Sequence, residues 1–133
     1  MAIAEYSWQN KTEEQIRHCI RWCQNQLQLR DWLVDLDLSD TPPVEMKDIE
    51  EEIHGTIQYA MTRRKALIWI DLEQVKADND NPLTVVIHEM LHLMVKANVE
   101  GEDEDAVCIL EPLIYRLYCK ENRIKLAEER IGY

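Results

Sequence analysis

Residues 82–97 are the most apolar stretch of this chain, and two histidines and a glutamate sit in the middle of it. Asn81-Pro82 is a helix start: Asn81 suits the N-cap, and Pro82 at the first helical position gives up an N–H that no helix would use. Leu83, Val86, Ile87, Met90, Leu91 and Met94 then recur at helical spacing, which predicts a central buried helix from Pro82 to about Ala97. His88, Glu89 and His92 are set into that helix. Polar and ionisable groups are costly in apolar surroundings unless something pairs with them. The helix therefore has to give these groups partners, a metal ion or ordinary neighbours.

His88-Glu89-Met90-Leu91-His92 places its histidines at i and i+4, on one face and one turn apart. Two imidazoles so placed can converge on one ion at the zinc–nitrogen distance of ~2.0–2.1 Å. Glu89 is turned ~100° from His88 around the helix. It stands beside such an ion, where a carboxylate can hold a water, take its proton and pass it to a leaving group. The plainer alternative has both histidines satisfied by ordinary neighbours and Glu89 in solvent.

A catalytic zinc takes a third protein ligand and keeps one position open. No histidine follows His92; the acids Glu100, Glu102, Asp103, Glu104, Asp105 and Glu111 do. A further helix is predicted from about Glu102 to Asn122, with Pro112 inside it and an apolar stripe of Ala106, Val107, Leu110, Leu113, Ile114 and Leu117. Glu104 and Glu111 flank that stripe on the same side as Tyr115 and Tyr118. If the chain turns back near Val99, residues 106 to 110 lie opposite His88 and His92. Glu104 and Glu111 bracket this region, and spacing leaves both open. Acids at 102–105 are also what a helix dipole favours in a first turn.

The remaining residues frame this pair of helices. At 133 residues the chain is read as one domain, 1–133. Thr12 with Gln15 forms a capping-box pattern and predicts a helix from Glu13 to Gln28, with Ile16, Cys19, Ile20, Cys23 and Leu27 inward. Trp32 to Leu38 alternates like a half-buried strand, ended by Pro42-Pro43. Residues 44–54 read as a short helix or loop. Gly55–Thr62 and Lys65–Leu72 read as strands joined by a tight turn at Arg63-Arg64, the first more polar and so at the sheet edge. Arg123–Tyr133 reads as a charged helix.

A net charge of -11 repels phosphate, so neither nucleic acid nor an anionic membrane is an expected partner. No apolar run nears the ~20 residues of a membrane span, and Met1–Trp8 lacks the basic and apolar regions of a signal peptide. A cytoplasmic protein with reduced cysteines is expected. Cys19 and Cys23, with His18 beside them, allow a metal reading, but buried free thiols explain them more simply.

Asn81-Pro82, the HEMLHLM run, and the later Glu104-Asp105-Ala106-Val107 and Leu110-Glu111-Pro112-Leu113 resemble the small single-domain zincins of phages and prophages, which are gluzincin-like. The likeness extends to the Trp32 strand and the Ala66–Ile70 strand. HEMLH is its specific part. The resemblance implies an α+β fold, about three strands of mixed sheet packed on the HExxH helix, a glutamate-bearing helix and an N-terminal helix. It implies a zinc metallopeptidase, with Zn2+ on His88, His92 and Glu104, Glu89 as the catalytic base, and a peptide or protein substrate along the edge strand Gly55–Met61. Tyr59, Tyr115, Tyr118 and His54 are all open as oxyanion partners, His54 reading more readily as a loop residue. No counterpart of the larger peptidases' C-terminal subdomain is expected. The alternative is a non-catalytic interaction or regulatory protein on the same fold.

Overall fold

The structure, a computed structural model, describes residues 2–39, 54–98 and 104–123, with side chains described over 12–39, 54–96 and 105–123. The elements are α1 (Ala2–Gln26), β1 (Leu33–Asp37), β2 (Gly55–Ala60), β3 (Lys65–Ile70), α2 (Leu72–Ala77), α3 (Pro82–Asn98) and α4 (Glu104–Asn122). The architecture is α+β, as expected: a three-stranded mixed sheet in the order β1-β3-β2, with α3 packed on it and α1 and α4 packed on α3. The expectations for residues 44–53 and 124–133 lie outside the described residues.

β3 is the central strand, parallel to β1 and antiparallel to β2. Ala66, Ile68 and Ile70 are buried on one face, and Trp69 is buried on the other. That two-sided cover is why the strand reads as nearly continuous in apolar residues. β2 pairs only with β3 among the described residues, so it is an edge strand. The β2–β3 turn closes with Arg64 in the left-handed region (φ 51°) and an Arg64 N–H bond to the Met61 carbonyl.

Two boundaries differ from the sequence reading. α1 starts at Ala2, so Thr12 is a buried residue within the helix and not its cap; a capping-box pattern inside a longer helix carries no stop signal of its own. β3 ends at Ile70, and Leu72 opens the short helix α2 instead. Asp71 causes the change, since its side chain accepts from the Gln74 N–H and caps α2.

α3 is the hub. It packs against α1, α4, β2 and β3, and Leu83, Val86, Ile87, Met90, Leu91, Leu93 and Val95 are all buried. Truncating one of these to Ala typically costs ~2–5 kcal/mol. Its N-cap is Asn81, whose Oδ1 accepts from the Leu83 N–H at 2.9 Å while its Nδ2 donates to the Tyr115 hydroxyl at 2.8 Å. One side chain thus ends α3 and ties it to α4.

Part of the predicted stripe on α4 faces inward, with Leu110 and Ile114 packed against the core. Val107 is buried, but Leu113 and Leu117 are exposed, and Tyr115, Tyr118 and Cys119 complete the inner face. The tyrosines bury more area than the leucines they displace, and each hydroxyl finds a partner: Tyr115 on Asn81, Tyr118 on His18 Nδ1 at 2.8 Å. Trp22 stacks edge-on against Tyr118 and donates to Glu121 at 2.7 Å, closing the α1–α4 seam. Pro112 sits within α4 and leaves it helical.

Candidate metal centre

The inward turn of α4 brings Glu111 to α3. Glu111 Oε1 lies 2.8 Å from His88 Nδ1. A carboxylate only accepts, so Nδ1 carries the proton and His88 Nε2 is left with its lone pair. That Nε2 lies 3.1 Å from His92 Nε2, close enough to accept its N–H, with the rings inclined at 70°. Two nitrogens bound to one tetrahedral zinc stand about 3.3–3.4 Å apart, from bonds of ~2.0–2.1 Å. The two imidazoles therefore converge at nearly the separation one ion requires, and a small opening fits it.

Glu89, His88 and Glu111 line a cleft of about 290 Å³ together with His54, Gly55, Asp80, Thr84 and Val85. The cleft lies where the start of β2 meets α3, with α4 on the far side. Gly55 is what lets the strand come so close. A Cβ there would stand 2.7 Å from the Trp69 carbonyl oxygen and 3.0 Å from Val85 Cγ1, so any side chain pushes β2 off its neighbours.

His54 lies in the bend just before β2, as the loop reading expects, and it also lines this cleft. Its Nε2 lies 2.6 Å from Asp78 Oδ2 and its Nδ1 2.9 Å from Asp80 Oδ2. The Asp78-Asn79-Asp80 turn presents both acids because Asn79 takes a left-handed φ of 54°. Asp78 titrates below the ordinary carboxylate value, first because Gln74 and then because His54 hydrogen-bonds to it. Signals for this were present in the sequence, as two acids flanking an Asn. Nothing there said that they would meet a histidine 24 residues earlier.

Of the other oxyanion candidates, Tyr118 pairs with His18 and Tyr115 with Asn81, both in the helical core, and Tyr59 is on β2. Glu104 opens α4, and its side chain lies outside the described residues. Among the described residues no three His, Cys, Asp or Glu side chains gather as a metal-holding group. Cys19, Cys23 and Cys119 are buried. The hydrogen bond that the Cys19 thiol donates to Cys23, and then burial, push Cys19 above its ordinary pKa, which suits an inert core thiol. No helix of the described residues is long and apolar enough to cross a membrane. Compared with family models, with curated proteins and with solved structures, the chain matches none.

Proposed function

We propose that the cleft is the active site of a zinc-dependent hydrolase, most simply one that cleaves peptide bonds. The observation that carries this reading is the His88–His92 pair: two Nε2 atoms 3.1 Å apart, one ring fixed in the required tautomer by a carboxylate on its other nitrogen. A histidine that ligates a metal commonly donates its second N–H to an acid in this way.

His88 and His92 would hold Zn2+ through Nε2, with Glu104 as the third ligand. Glu111 supports that choice, because its Oε1 is engaged at the Nδ1 side of His88, away from His92. Bound there, zinc supplies Lewis-acid polarisation of a carbonyl and lowers the pKa of water. The chain's own groups do the rest. Glu89 lines the cleft beside His88, where its carboxylate can take a proton from water and return it to the leaving amine. The edge of β2 supplies main-chain groups to an extended peptide. The acids Asp80, Glu89 and Glu111 make the cleft attractive to a divalent cation and hostile to anionic substrates.

Zinc analysis of the purified chain, paired with a peptide-cleavage assay of wild type and Glu89→Gln, tests the proposal. About one zinc per chain in both proteins, with turnover only in the wild type, is expected. A chain that binds no zinc sinks the reading. Zinc without turnover of any peptide keeps the metal site and gives up the hydrolase.

A further inference from the structure

The outward face of α4 carries an exposed apolar ridge. Ile109, Leu113 and Leu117 follow one another at i, i+4 and i+8, and they are 67%, 58% and 40% exposed. Residues at that spacing drift only ~40° per step around a helix, so the three make one continuous strip. A continuous aliphatic strip on a surface this charged is a candidate for a contact.

The charges around the strip indicate what covers it. Asp105 is exposed at its N-terminal end, and Arg116 and Lys120 are exposed toward its C-terminal end. Glu121, the acid that would cancel them, is turned to Trp22. The face is therefore acidic at one end and basic at the other, with Leu113 between. Asp105 lies about 12 Å along the axis before Leu113, and Lys120 about 10 Å beyond it.

We propose that this face pairs with the same face of a second copy, antiparallel, about a two-fold axis near Leu113. In that arrangement Leu113 meets its own counterpart and Ile109 meets Leu117 of the other copy. Asp105 then falls close to Lys120 of the other copy. A parallel pair would instead set Asp105 against Asp105 and Lys120 against Lys120. Exposed ion pairs contribute only ~0.2–1 kcal/mol each, so the charges select the orientation and the aliphatic strip supplies the attraction. Two-fold pairing of one patch with itself is the commonest closed assembly. Three side chains a side fall short of the ~800 Å² per partner of a standard interface, which makes the pair weak and concentration-dependent. Glu111 lies on the opposite side of α4, so pairing leaves the cleft open.

Sedimentation velocity on the full chain, from about 1 μM to about 1 mM, covers the affinity range of such a contact. The expected result is a shift from monomer to dimer with concentration. Leu113→Glu, at a position exposed in the monomer, should keep the helical circular dichroism signal and raise the dimer Kd at least about tenfold. Asp105→Lys and Lys120→Asp should each weaken the dimer, and the double variant should restore it. A monomer at every concentration overturns the proposal, as does a dimer indifferent to Leu113→Glu. Failure of the double variant to recover rules out the antiparallel register.

Discussion

Glu111 and His88 are 23 residues apart and meet at 2.8 Å, carboxylate to Nδ1. The bond fixes which ring nitrogen carries the proton and aims the other at His92. Glu111 therefore acts on anything held at the histidines through His88, which separates its role from that of a direct ligand.

Replacing the two glutamates of α4 should accordingly give different results. Glu111→Gln is expected to lower zinc affinity by about 10–100-fold while leaving one zinc per chain at saturation, the usual cost of losing such an orienting partner. Glu104→Ala is expected to remove tight binding altogether. Competition against a chromogenic chelator measures both. Unchanged affinity in the Glu104 variant would assign the third ligand elsewhere.

Acid sensitivity is expected at the His54 clamp. Asp78 has its pKa lowered from 3.8 by Gln74 and His54. Its contribution to stability is thus complete above the unfolded-state value and is lost as pH falls through the lower folded value. Urea midpoints across that window should fall less steeply for Asp78→Asn than for the wild type. Parallel curves would show that the clamp adds nothing.

Gly55→Ala should destabilise the fold, because the clash is with the backbone oxygen of Trp69 as well as with Val85. Overpacking of this kind costs ~1–3 kcal/mol. Chemical denaturation reads the loss directly, and the same variant should perturb the cleft, whose wall moves with β2.

Thiol labelling of the native chain should modify Cys108 alone, since Cys19, Cys23 and Cys119 are buried. Cys19 is further protected by its raised pKa. Mass spectrometry after brief alkylation should show one adduct, and four after unfolding; rapid native labelling of a second cysteine would contradict the packing.

The periodicity of α3 and its Asn81-Pro82 start were legible in the sequence because propensity, capping and burial agree there. The strands were legible for the same reason, down to the edge position of β2. The facing of α4 was legible only in part, in Val107, Leu110 and Ile114. That helix is apolar on most of its circumference, so periodicity could not decide between Leu113 with Leu117 and the tyrosines, and only the partners His18 and Asn81 settle it. The site follows the same division. The approach of His88 to His92 is local to one helix and could be read from their spacing, whereas the role of Glu111 depends on that facing. His54 depends on a non-local turn, and no spacing rule connects it to Asp78 and Asp80.

Pro112 comes directly after Glu111 and has no N–H to return to the carbonyl one turn back. α4 is consequently joined across this point by one rung fewer than its length implies. The second half is riveted to α1 through Tyr118 and Trp22, while the first half answers to His88. The missing rung therefore falls between the half of α4 that carries Glu111 and the half held by the aromatic seam.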